Sequence, residues 1–311
     1  MAVYTQVSAE TLEEFLAEYD VGTLRSAKGI AEGVENTNYF VETSQARFIL
    51  TLYEKRVDVA DLPYFLSLTA HLAEKGLPVP APIEDRRGRA LQDLCGRKAC
   101  LIEFLSGVSV DEPGVRHAQA AGQMLAEMHL SAADFADRRP NDLSVAGWQA
   151  LHHELEGELG GISPGLDRLV GDELRHLAAC WPQHLLAGTV HADLFADNVL
   201  FSGDRISGVI DFYFACTDLL AYDLAVTHAA WAFDGDGAAR PELGEALVAG
   251  YQAVRPLSED ELGALPDLCR GAALRFLLTR AYDWINTPPT ALVTRKDPLA
   301  FARRLEHYRA A

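Results

Sequence analysis

The chain opens on a helical pattern. Leu12, Phe15, Leu16 and Tyr19 fall at i, i+3, i+4 and i+7, and Ser8 stands where an N-cap would accept a free amide. The period then shortens to that of strands. Residues 23–29 read as a first strand, Tyr39–Thr43 as a second and Arg47–Tyr53 as a third, with Ser44-Gln45-Ala46 as the turn between the last two. Asp61 and Pro63 open a helix whose apolar stripe is Leu62, Phe65, Leu66, Thr69 and Leu72, and Gly76 ends it. Leu77-Pro78-Val79-Pro80-Ala81-Pro82 cannot be helix, because each proline lacks a donor and biases its predecessor toward extended backbone. Two short strands follow, around Ala90–Leu91 and Lys98–Phe104, across a Gly-Arg break.

Beyond Gly107 helical spacing dominates. It covers Val115–Leu130, Trp148–Leu159, Asp172–Cys180, Asp218–Phe233, Glu242–Val254 and Glu259–Trp284. One hairpin interrupts it: Val199–Phe201, the turn Ser202-Gly203-Asp204-Arg205, and Ile206–Ile210. The pattern therefore predicts an α+β chain of two lobes. A small antiparallel sheet with one internal helix makes the first hundred residues, and a larger, mostly helical lobe follows the joint at Ser106-Gly107. A length of 311 residues suits two domains of roughly 150 each.

Charge removes several function classes. Twenty-seven Lys and Arg stand against 45 Asp and Glu, a formal net charge of −18, where nucleic-acid and anionic-membrane binders need basic patches. The first twenty residues hold no Lys or Arg and carry Glu10, Glu13, Glu14, Glu18 and Asp20, unlike the basic start of a signal or transit peptide. No apolar run approaches the roughly 18 residues of a membrane span. The five cysteines, Cys95, Cys100, Cys180, Cys216 and Cys269, are odd in number and form no C-x-x-C, so reduced thiols in a cytoplasmic protein are expected.

Candidate chemistry concentrates in residues 190–223. His191-Ala-Asp193 is followed five residues after the Asp by Asn198, then by the hairpin, then by Asp211 at the end of its second strand. Two carboxylates and an amide are thereby presented at the ends of short segments. Phosphoryl transfer uses such a set: one carboxylate orients or accepts the hydroxyl proton, while an amide and a carboxylate hold magnesium on the triphosphate. A lone His-x-Asp is common by chance; the spacing, the hairpin and the trailing Asp together are not.

This stretch, with Ile210-Asp211-Phe212 and Tyr222-Asp223-Leu224-Ala225, resembles the catalytic loop and metal-binding aspartate of the aminoglycoside-phosphotransferase-like, protein-kinase-like family. The resemblance spans the chain and narrows to that family's bacterial homoserine-kinase branch. It rests on the segment from Gly29 to Phe40 and on HADLFADNVLF, GVIDFYFAC, RPLS (255–258), AALRFLLTR (272–280) and KDP (296–298), in order. It implies a nucleotide-binding lobe over 1–102, a hinge over 103–107 and a catalytic and substrate lobe over 108–311, with ATP and Mg²⁺ as cofactors and L-homoserine as the small-molecule partner.

Position by position, it makes Asp193 the catalytic base and Asn198 and Asp211 the magnesium ligands. Gly29, Gly33, Asn36 and Asn38 belong to a cover over the triphosphate. Glu103 and Leu105 belong to a hinge whose backbone pairs with adenine. His191 and Asp223 are structural residues beside the site, and Asp197 is solvated loop. A carboxylate-bearing acceptor calls for an arginine fork; Arg275 and Arg280 stand at i and i+5 on one helix, and either forms a structural ion pair in the alternative reading. Asp218, Tyr222 or Trp231 would meet the acceptor's ammonium.

Two departures bear on these expectations. Thr51 stands where kinases carry a phosphate-binding lysine, leaving Lys28, Lys55 or the metal to supply that charge. Thr227-His228-Ala229-Ala230-Trp231 lacks an Asn-Asp pair expected before the tryptophan. Alternatives are a kinase for an aminoglycoside, choline or a sugar-like alcohol, and a nucleotide-binding pseudokinase. A protein kinase is disfavoured by the missing A-P-E signature after Asp211.

Overall fold

The computed structural model describes residues 4–30, 36–54, 58–287 and 295–310. They divide into two compact units. The first comprises residues 1–107 with 207–213, and the second 108–206 with 214–311.

In the first unit Ser8 caps helix α1 (Ala9–Leu16), its hydroxyl accepting the Thr11 amide. Strands β1 (Leu24–Ile30), β2 (Thr37–Thr43) and β3 (Arg47–Tyr53) follow, then helix α2 (Leu62–Glu74) and strands β4 (Pro82–Ile83), β5 (Leu91–Leu94) and β6 (Arg97–Glu103). The sheet runs β1-β2-β3-β6-β4, with β5 also on β6, and every pairing is antiparallel. Side chains alternate on β2, burying Thr37, Tyr39, Val41 and Thr43. Leu12, Phe15 and Leu16 of α1 pack on that face with Leu50, Leu52 and Leu101. Asp61 does not cap α2 through its side chain. A preceding 3₁₀ turn does the work, with Asp58 accepting the Ala60 amide.

In the second unit α3 (Val115–Ser131), α4 (Val145–Glu154), the short α5 (Leu159–Ile162) and α6 (Leu166–Cys180) lead to strand β7 (Ala187–Val190). After the strands β8 (Val199–Ser202) and β9 (Arg205–Val209), which pair with each other, come β10 (Cys216–Leu219) and helices α7 (Leu220–Trp231), α8 (Pro241–Val254), α9 (Glu259–Asn286) and α10 (Leu299–Ala310). The helix expected from Asp218 thus begins at Leu220, because residues 216–219 pair antiparallel with β7, Cys216 opposite Val190. Buried residues surround α7 on all sides, which makes it the axis of this unit. Ser258 and Glu261 form a capping box at the start of α9. No described helix is long and apolar enough to cross a membrane, and all five cysteines are free thiols.

Helices α3 and α8 meet through glycine. A Cβ on Gly122 would lie 2.0 Å from the Leu247 carbonyl oxygen, and one on Gly250 would lie 2.1 Å from that of Gln119. Helix α10, absent from the sequence reading, docks through Arg304, whose Nη1 and Nη2 donate to the carbonyls of Ala229 and Asp234 at 2.7 and 2.9 Å. Beside it the His228 Nδ1 lies 2.7 Å from the Tyr308 hydroxyl. The departure at residues 227–230 is therefore a packing feature: His228 faces Tyr308 and Phe233. Burial, with the nearby His307 charge, pushes its imidazole down to about 4.

Two outcomes follow. Gly122→Ala should destabilise the chain by about 1–3 kcal/mol or more, because backbone rather than a flexible side chain blocks the methyl. Thermal unfolding checks this, with Gly263→Ala, exposed on α9 where a Cβ would meet nothing within 4 Å, as the control. His228 stays neutral in the fold while the unfolded chain takes up a proton below its ordinary value of 6.5. Its stabilising contribution is complete above that pH and is lost as pH falls toward 4, by roughly 3 kcal/mol. In His228→Gln the fall in melting temperature between pH 6.5 and 4 should be shallower; an unchanged slope would remove His228 from the acid response.

Candidate active site

The strand pair β7–β10 delivers two segments side by side: the loop that follows Val190 and the first turn of α7, which follows Leu219. Asp223, wholly buried on that turn, receives the loop. Its Oδ2 accepts the His191 amide and its Oδ1 the Ala192 amide, both at 2.8 Å. Ala192 takes φ of +61°, a left-handed conformation that L-residues adopt only when the surroundings enforce it. Two further bonds fix the loop carbonyls. Arg275 Nη1 donates to Ala192 O at 2.6 Å and Trp231 Nε1 to Leu194 O at 2.8 Å.

The carboxylate and amide picked out by spacing are brought together. Asn198 Nδ2 donates to the Asp193 carbonyl at 2.9 Å and to its Oδ2 at 3.3 Å. A 3₁₀ turn over Ala196–Asn198 makes this possible by folding the chain back within five residues. The Asp193 amide is 3.2 Å from His191 Nδ1, which serves the loop's own backbone. With Nδ2 spent on Asp193, Asn198 keeps its Oδ1 as a hard oxygen donor, the kind that suits magnesium or calcium.

Behind Asp223 runs a buried polar chain that the sequence reading missed. His129 Nε2 lies 3.0 Å from Asp223 Oδ2, and its Nδ1 lies 2.8 Å from the Tyr251 hydroxyl. Arg255 donates to Tyr251 at 3.0 Å and to Glu261 at 2.6 Å. Because arginine only donates, the Tyr251 proton goes to His129 Nδ1, and the imidazole gives its Nε2 proton to Asp223. Burial alone would raise the Asp223 carboxyl; hydrogen bonds from His129 and the loop amide hold it below its ordinary value. One signal was available: His129 lies i+3 and i+4 from Ala126 and Leu125, on the apolar stripe of α3.

The expected acceptor residues separate. Tyr222 is fully buried, edge-on to Trp181 with ring centroids 5.2 Å apart. Trp231 and Arg275 are 1% exposed and bonded to the loop backbone. All three are thus placed inside the fold rather than on an open acceptor surface. Asp218 lies in β10 and accepts the Asn141 amide at 2.6 Å, while burial raises its carboxyl. Arg280 is half-buried with its guanidinium 4.4 Å from the Phe301 ring centroid. Burial lowers its pKa, and the carboxylates of Asp193, Asp197 and Asp297 act against that. Asp197 is exposed and pairs with Lys296 at 3.6 Å.

In the first unit Asp211 follows β9 with φ of +67°. Gly29 lies in β1 opposite Tyr39. Asn38 lies in β2, its Oδ1 accepting the Thr51 hydroxyl at 2.8 Å, so the threonine at the lysine position ties two strands together. Asn36 Oδ1 accepts the Glu54 amide at 3.3 Å. Gly33 and Lys55 lie outside the described residues, and Lys28 is exposed on β1. The Glu103 amide is taken by the Ala81 carbonyl at 2.9 Å.

The model of the phosphotransferase enzyme family matches residues 26–257. A homoserine kinase of Methylobacterium radiotolerans is 54% identical, covering 100% of this chain and 97% of that one. A homoserine kinase of Rhizobium johnstonii is 53% identical, covering 99% and 96%. Among solved structures, a spectinomycin phosphotransferase in complex with ADP and spectinomycin superimposes with a TM-score of 0.74 at 14% identity, covering 98% of this chain and 99% of that one. A microcompartment-associated aminopropanol kinase does so with a TM-score of 0.64 at 21% identity, covering 97% and 98%. The chain carries the kinase-like fold of those structures and belongs to the phosphotransferase enzyme family, together with its homoserine kinase relatives.

Proposed function

We propose that the chain phosphorylates the side-chain hydroxyl of L-homoserine with ATP, giving O-phospho-L-homoserine, a step toward threonine. The observation that carries this reading is identity above 50% along the whole chain to homoserine kinases; the Asn198–Asp193 bond and the bond from the His191 amide to Asp223 support it.

Asp193 is the base. Its half-buried carboxylate accepts the hydroxyl proton as the oxygen bonds to the γ-phosphorus and the bond to the β,γ-bridging oxygen breaks, releasing ADP. Asn198 holds one carboxylate oxygen in place, and Asp223, Arg275 and Trp231 hold the backbone beneath it. Asn198 Oδ1 and the Asp211 carboxylate suit a divalent cation, with magnesium the natural partner of a nucleotide. When bound, that ion neutralises charge on the phosphates. Leu105 and Glu103 belong to the adenine hinge, and Gly29, Asn36 and Asn38, with Gly33 of the same segment, to the cover over the triphosphate. With Arg275 buried under the loop, Arg280, half-buried and subject to the field of the Asp193 carboxylate, is the fork for the homoserine carboxylate.

Asp193→Asn should keep the fold and lower kcat by about 10²–10⁴ with little change in KM for ATP. Detection of O-phosphohomoserine alongside ADP checks both product and residue; near-normal turnover would remove Asp193 as base. Arg280→Met should cost roughly 1.5–3 kcal/mol, about 10- to 150-fold in kcat/KM for homoserine. KM for ATP should stay unchanged, and homoserinol, lacking the carboxylate, should be a poor substrate already. Equal use of homoserinol and homoserine by the parent enzyme would contradict carboxylate recognition.

A further inference from the structure

On the second unit, a side-chain cluster bridges α6 and α9 that phosphoryl transfer does not use. His176 and Cys180 stand at i and i+4, one turn apart on the same face of α6. Asp267 of α9 faces them. His176 Nε2 is 2.7 Å from Asp267 Oδ1 and 3.3 Å from Cys180 Sγ, and one ligand atom from each residue lies within 4.8 Å of the other two. We propose that these three residues form a binding site for a borderline divalent metal of the zinc class.

Three physical features support it. The donor set of one sulfur, one imidazole nitrogen and one carboxylate oxygen is a zinc set, whereas magnesium and calcium take oxygens. A tetrahedral ion with bonds of about 2.0–2.3 Å separates its ligands by roughly 3.4–3.6 Å. The sulfur–nitrogen separation is already close to that, and the nitrogen–oxygen separation needs only a small opening of exposed side chains. His176 and Cys180 are exposed, so the ion has an entry path and a place for water as fourth ligand.

The thiolate and Asp267 match the two charges of the metal. Arg270 Nη1 lies 3.5 Å from Asp267 and opposes a cation, while the buried Glu173 holds Arg270 through bonds of 2.6 and 2.9 Å and also pairs with Arg309 at 3.4 Å. The two arginines exceed Glu173 by one positive charge, which the metal's bonds to sulfur and nitrogen must outweigh. On binding, the Cys180 proton leaves to solvent, and the His176 Nε2 proton that now faces Asp267 is given up, so that the imidazole ligates through Nε2 with a proton on Nδ1. The ion would join α6 to α9 in place of the present hydrogen bonds.

The test is cobalt titration of the full-length, reduced, metal-stripped chain. One equivalent of Co²⁺ should produce a thiolate-to-cobalt charge-transfer band with tetrahedral visible bands, and Zn²⁺ should displace it. Cys180→Ser should abolish the charge-transfer band. His176→Gln and Asp267→Asn should weaken binding by about tenfold or more. Cys95→Ser, at an exposed thiol elsewhere, should change nothing. No charge-transfer band in the parent chain would overturn the site, as would a band that survives Cys180→Ser, is indifferent to His176→Gln or depends on Cys95.

Discussion

Asp223 sits in the first turn of α7 with no exposure to solvent and gives both carboxylate oxygens to consecutive amides of the loop before Asp193. A buried carboxylate is costly unless fully bonded, and two backbone donors with His129 supply the bonds. The strained turn at Ala192 is held by this arrangement, with Arg275 donating to the Ala192 carbonyl. A proposed base on a loop needs such support, since about an ångström of misplacement can cost two orders of magnitude in rate.

The support extends well behind the loop. From Asp223 the hydrogen bonds run through His129 and Tyr251 to Arg255 and Glu261, joining α3, α8 and the capping box of α9. Every link of that chain is a hydrogen bond of 3.0 Å or less, which favours rigidity. Arg275 comes from the middle of α9 and Trp231 from the end of α7. The loop that presents Asp193 and Asn198 is thus gripped by side chains from the helices that make the core of its unit.

Much of this was legible in the sequence because it is local. Hydrophobic periods place β3, α2 and α8 within a residue or two and the start of α1 after Ser8, though that helix ends at Leu16 rather than at Tyr19; the five-residue spacing from Asp193 to Asn198 corresponds to an actual side-chain bond. What spacing could not convey is non-local. Strands β7 and β10 are four residues each and pair across more than twenty residues, so the last two residues of β10, Asp218 and Leu219, read as the start of a helix. Arg275 and Arg280 stand on one helix, yet one is buried under the loop and the other is half-buried, donating to the Asp297 carbonyl at 3.4 Å. Tyr222 and Trp231 have the chemistry of an ammonium-binding wall, and only packing shows them turned into the core. His129, Tyr251 and Arg255 read singly as ordinary polar residues, because their meaning lies in each other.

The steady-state kinetics of Asp223→Asn test this account most directly. The substitution keeps size and exchanges one acceptor oxygen for an NH₂ group, which must then confront a loop amide or the His129 Nε2 proton. At a temperature where the variant remains folded, kcat for homoserine phosphorylation should fall by about 10²-fold while KM for ATP changes little. A folded Asp223→Asn chain with parental kcat would contradict the claim that this carboxylate holds the catalytic loop.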